Sequence, residues 1–97
     1  MMVLITYDVN ITSDNGSRRL RLVAKACMNH GRRVQNSVFE CVLDNAQFIS
    51  LRKRLQDIID VNTDSIRFYF LGNNWQNKVE QIGNSEIVDV ENDTFII

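Results

Sequence analysis

Met2-Val3-Leu4-Ile5-Thr6-Tyr7-Asp8-Val9 is an apolar run that stops at a single acid and passes into a polar loop. Side chains of a strand alternate between its two faces. Val3, Ile5, Tyr7 and Val9 therefore share one face, and Met2, Leu4, Thr6 and Asp8 share the other. The first set should meet helices. The second is apolar enough to avoid water, yet it ends in a carboxylate. A sheet covered on one face by its own helices would leave this acid-bearing face open, and a second copy of the chain is the simplest cover.

Working outward, Asn10 to Ser17 is a loop by composition, with Ser17 or a neighbour placed to cap the next helix. That helix is predicted from Arg18 to His30. Leu20, Val23, Ala24, Cys27 and Met28 form its buried stripe, with Arg18, Arg21 and Lys25 off the stripe and Arg19 at its border. Gly31 is read as the helix terminator. His30, the only histidine, reads as a residue at the negative end of the helix dipole rather than a catalytic base.

Arg32 to Leu43 favours two short strands that turn near Asn36-Ser37. Both parities stay apolar in the second strand, so it should be central and covered on both faces. Asp44 and Gln47 have capping-box spacing ahead of a helix with Phe48, Leu51, Leu55 and Ile58 on one face. Ile66 to Leu71 is the next strand, and Lys78 to Gly83 reads as a short edge strand. The order is strand, helix, strand, strand, helix, strand, then an appended strand. It predicts an α+β, ferredoxin-like βαββαβ sandwich with both helices on one face. The domain covers residues 1–83, and 84–97 form an acidic tail. That tail ends in Thr94-Phe95-Ile96-Ile97, which suits docking on a partner.

The 97 residues make one domain. No apolar run approaches the roughly 20 residues needed to cross a bilayer. The start of the chain lacks signal-peptide features, so a cytoplasmic location without membrane partners is expected. Cys27 and Cys41 are isolated among apolar residues and read as buried thiols, with a Cys27–Cys41 disulfide as the alternative. The net charge of −1 conceals a split: nine Lys/Arg against four Asp/Glu give +5 over residues 1–54, and two against eight give −6 over 55–97. A basic surface for phosphate is one reading of this split, and ordinary solvated helix faces are the other.

The segments Tyr7-Asp8-Val9, Arg18-Arg19-Leu20, Arg33-Val34-Gln35-Asn36-Ser37-Val38-Phe39-Glu40 and Asp64-Ser65-Ile66-Arg67-Phe68-Tyr69, in this order over residues 1–83, resemble the small CRISPR-associated Cas-two family. The acidic, apolar-ended tail is similar to that of subtype I-C members. The resemblance implies a face-to-face homodimer and a strand near Val79–Ile82 that extends the partner's sheet. It also implies that Asp8 of each protomer meets its copy at the two-fold axis to bind Mg²⁺. Family members are described as metal-dependent endonucleases acting on RNA or double-stranded DNA. They are also described as bridges between Cas-one integrase dimers in spacer acquisition.

One carboxylate makes a poor phosphodiesterase. A metal is needed to polarise phosphate and activate water, and Mg²⁺ usually takes one or two protein carboxylates plus water and phosphate oxygens. Asp8 is thus the catalytic and metal-binding candidate; by position alone it could equally be an acid that holds the following turn. Arg18, Arg19, Arg32 and Arg33 are the candidate phosphate contacts, since Arg engages phosphate bidentately, with plain surface charge as the alternative. Tyr7, Ser13, Ser37 and Phe39 are candidates for shaping the site. Three functions compete: a Mg²⁺-dependent endonuclease, a non-catalytic dimeric adaptor for duplex DNA and an integrase, and a small-molecule regulatory domain on the same fold. The last lacks a glycine-bearing ligand loop.

Overall fold

The computed structural model describes residues 1–72 and 79–84. The elements are β1 (Met2–Asp8), α1 (Gly16–Met28), β2 (Gly31–Gln35), β3 (Val38–Val42), α2 (Asn45–Ile58), β4 (Ser65–Leu71) and β5 (Val79–Gly83). They form one sheet in the order β2-β3-β1-β4-β5, antiparallel at every pairing. This is the expected α+β, ferredoxin-like arrangement with an appended strand. The apolar β1 lies at its centre, where both edges are hydrogen-bonded.

One face of the sheet carries the core. Val3 and Ile5 of β1, Phe39 and Cys41 of β3, and Ile66 and Phe68 of β4 are fully buried, together with Val23 and Cys27 of α1 and Leu55 of α2. Burying each large aliphatic or aromatic side chain contributes about 1.5–3 kcal/mol relative to exposure. Phe48 of α2 packs edge-on against Phe68 and Phe70, at centroid distances of 5.3 and 4.9 Å. α2 begins with a complete capping box: Asp44 Oδ1 accepts from the Gln47 N–H at 2.7 Å, and the Asp44 N–H donates to Gln47 Oε1 at 2.9 Å.

The start of α1 differs from expectation. The helix is entered two residues early, at Gly16, from Asn15, which adopts a left-handed conformation with φ 61°. Asn tolerates that region better than most residues. No side chain caps this end, so Ser17 is not the cap. At the other end the cap is Asn29, in right-handed conformation, and His30 lies beyond the helix. Gly31 instead opens β2, and its task is close approach: a Cβ there would collide with the Glu40 carbonyl oxygen of β3.

The opposite face, without helices, carries Met2, Leu4, Thr6 and Asp8 from β1. The register adds Val38, Glu40 and Val42 from β3 and Ser65, Arg67, Tyr69 and Leu71 from β4. The second hairpin strand is therefore covered on one face only, and Val42 is 67% exposed. β5 pairs with β4 of its own chain, from Tyr69↔Val79 to Ser65↔Gly83. The strand expected near Val79–Ile82 is thus present, at the edge of its own chain's sheet. Gly83 sits at φ 92°, folded against the Asp64 carbonyl oxygen, which accepts the Asn84 N–H at 2.8 Å. The tail expectation, with Thr94-Phe95-Ile96-Ile97, lies outside the described residues.

Candidate functional site

Asp8 is the last residue of the central strand, opposite Ser65 of β4, and it is exposed on the helix-free face. With Thr6, Tyr7, Ser65 and Arg67 it lines an open cleft of about 220 Å³. Among the described residues it is the one carboxylate of that lining. Arg67 is held across the sheet by its Nε donating to Gln81 Oε1 at 3.2 Å. The cleft thus offers an acid, two hydroxyls and a cation on one wall.

Among the described residues, no group of three or more His, Cys, Asp or Glu could by itself hold a metal ion. The donors present fit Mg²⁺ as half of a site. One carboxylate with hydroxyl neighbours and open water access suits a hard cation that keeps several waters, and a two-fold copy would add the second carboxylate. Arg67 repels a cation but suits phosphate.

Behind Asp8, the loop 10–15 is anchored by a buried acid to which the sequence alone assigned no role. Asp64 is fully buried. Its Oδ1 accepts from the Asn10 N–H at 2.9 Å and the Thr63 hydroxyl at 3.1 Å. Its Oδ2 accepts from the Asp60 N–H at 2.9 Å and Arg19 Nε at 2.8 Å. Burial by itself raises the Asp64 pKa. The Arg19 guanidinium, the Asp60 and Asn10 amides and the Thr63 hydroxyl outweigh it and hold the carboxyl below its ordinary value.

Arg19 also donates to the Asp14 carbonyl at 2.6 Å, to Ser13 Oγ at 2.6 Å and to the Asn10 carbonyl at 3.4 Å. Its guanidinium is consumed inside the protein, so it differs from the free phosphate contact expected of it. Ser13 is part of the same lattice, donating to the Asn10 carbonyl at 2.8 Å. The signal for this was the border position of Arg19 on the buried stripe: a half-buried guanidinium needs an acid.

The other expected residues divide between the two faces. Tyr7 faces the core, and its hydroxyl donates to the Asn36 carbonyl at 3.3 Å while its N–H donates to the Ser37 carbonyl at 3.1 Å. Both bonds fasten the β2–β3 turn to β1. Burial raises the Tyr7 pKa, partly offset by nearby Arg33. Phe39 stacks on Tyr7 with centroids 6.1 Å apart, and the Arg33 guanidinium lies 5.2 Å from the Phe39 ring centroid. Arg33 therefore belongs to the helix-bearing side. Arg32 points to the opposite side with Glu40, at 3.5 Å. Arg18 is exposed on α1. The arginines do not converge on Asp8; Arg67 does.

The model of the CRISPR associated protein Cas2 family matches residues 1–79. The chain belongs to the Cas2 family. It is 56% identical over 91 residues to the CRISPR-associated endonuclease Cas2 of Halalkalibacterium halodurans, covering 94% of this chain and 95% of the relative. It is 55% identical over 91 residues to the CRISPR-associated endoribonuclease Cas2 of Chlorobaculum tepidum, again covering 94% and 95%. Among solved structures, Streptococcus pyogenes Cas2 at pH 6.5 superposes with a TM-score of 0.71 and 60% identity, over 78% of this chain and 92% of that one. The names of these Cas2 relatives support a nuclease role. No described helix is long and apolar enough to cross a membrane.

Proposed function

We propose that this Cas2 chain hydrolyses phosphodiester bonds of double-stranded DNA or single-stranded RNA as a Mg²⁺-dependent homodimer. The single observation that carries this reading is the placement of Asp8. It ends the central strand on the helix-free face, in an open cleft, with Arg67 beside it. A dimer joined through that face would cover Val42 and Met2, which are exposed in one chain, and would bring two Asp8 carboxylates to one place.

In this reading Asp8 holds the metal, Thr6 and Ser65 supply hydroxyls around it, and Arg67 takes a phosphate oxygen of the substrate. Bound Mg²⁺ would supply Lewis acidity toward phosphate and water. Arg18, Arg32 and Arg33 contribute affinity without sequence preference. The subtype I-C assignment rests on the composition of the tail.

A second reading is favoured by α1, which carries four cations and no acid: a non-catalytic dimeric adaptor for duplex DNA and a Cas-one integrase. Purified wild type and Asp8→Asn, each incubated with either substrate in Mg²⁺ or EDTA, separate the two. Cleavage by wild type alone, and only with Mg²⁺, supports the nuclease. Equal cleavage by both proteins removes Asp8 from the chemistry. Absence of cleavage with duplex binding retained leaves the adaptor.

A further inference from the structure

A second cleft, of about 570 Å³, opens on the helix-bearing side between α1 and the β2–β3 turn. Its cations are Arg21 and Lys25, one turn apart on α1, and Arg33 of β2. No acid lines it. Among the described residues, none of the three cations takes part in an ion pair. Like charges at i and i+4 on a helix repel, so this placement weakens α1 and is relieved by an anion. Arg33 is held in place over Phe39, which stacks on Tyr7.

The rest of the lining is apolar in a way that inorganic phosphate would not use. Leu20, Ala24 and Met28 contribute to it, and Met28 is 60% exposed. A cleft of this volume is within the usual range for small-molecule sites, roughly 300–1,000 Å³. Phosphate-binding cations beside an apolar floor fit a nucleotide unit, with phosphate on the cations and a base against the thioether and aliphatic wall.

We propose that this cleft binds a nucleoside monophosphate unit, with phosphate on Arg21, Lys25 and Arg33 and the base against Leu20 and Met28. The choice of ligand rests on the nucleic-acid reading above. The site itself lies across the sheet from Asp8 and does not require hydrolysis. The unit is supplied either by a free nucleotide or by the end of a strand.

Amide NMR spectra of the full chain in EDTA, titrated with AMP, with a 5′-phosphorylated single-stranded tetranucleotide and with inorganic phosphate, test this. Shifts from AMP are expected at Ala24, Lys25, Met28 and Ser37. Arg21→Ala/Lys25→Ala should weaken AMP at least tenfold. These are exposed helix positions, where alanine favours the helix. Met28→Ala should weaken AMP but not inorganic phosphate. Asp8→Asn should lose cleavage and keep AMP affinity, which separates the two sites. A tetranucleotide that binds tenfold tighter than AMP identifies a strand end, and equal affinity identifies a free nucleotide. The proposal is overturned if the double variant binds AMP as wild type does. It is equally overturned if AMP shifts match those of inorganic phosphate or fall outside the cleft.

Discussion

Arg19 Nε lies 2.8 Å from Asp64 Oδ2, joining the first turn of α1 to the residue before β4 across 45 positions of sequence. A buried charge costs several kcal/mol to desolvate, and the pair persists because both partners are hydrogen-bonded on every side. Its product is a fixed loop immediately after Asp8, since Asn10 donates its N–H to Asp64 and accepts from Arg19.

Removing the acid should be costly. Asp64→Ala leaves the Asn10 and Asp60 amides and the Arg19 guanidinium without their acceptor, and is expected to destabilise the fold by about 3 kcal/mol. Urea denaturation of wild type and variant measures this.

The same carboxyl sets a pH dependence. Its folded pKa is lowered, so its contribution to stability is fully present above the unfolded value, about 3.9. It is lost as pH falls through the folded value. The wild-type melting temperature should therefore drop below about pH 4, and Asp64→Asn should flatten that part of the profile.

Neighbouring arginines should give opposite phenotypes. Arg18→Ala is expected to leave melting unchanged and to lower the salt dependence of duplex binding by about one unit of slope. Arg19→Ala should instead lower the melting temperature, and the loop after Asp8 should exchange its amide hydrogens faster. Binding isotherms at several salt concentrations, with thermal melts alongside, distinguish the two.

Gly83→Ala places a Cβ at φ 92° against the Asp64 carbonyl. A loss of at least about 1 kcal/mol is expected, read as a lower urea midpoint at an unchanged slope.

Both thiols should be inert. Burial pushes the Cys27 pKa up to about 12 and the Cys41 pKa up to about 11, so neither forms thiolate at neutral pH. Labelling with a thiol-reactive dye should be slow in the native protein and complete in denaturant.

The regular elements were legible because each has a local cause. The alternation in Met2–Asp8 and the Asp44/Gln47 box appear where their spacing placed them. Of the α1 stripe, Val23, Ala24 and Cys27 are buried and Leu20 partly so, while Met28 at its end is exposed. What escaped depended on distant partners. Gly31 looks like a helix stop in sequence, and only the nearness of Glu40 reveals its role. Asp64 looks like a loop acid until Arg19 arrives from α1. Arg67 interrupts an otherwise apolar strand, and only the β1–β4 register sets it beside Asp8.

Asp64 uses its side chain to hold the start of the domain and its backbone carbonyl to hold Asn84 at the end of β5. The loop behind the acid and the exit of β5 are therefore latched to one residue. They should open as a single cooperative unit, below the free energy of global unfolding. A partner that gripped Asn84 would, by linkage, also quiet the loop behind Asp8, coupling assembly to the readiness of the acid without any contact between them.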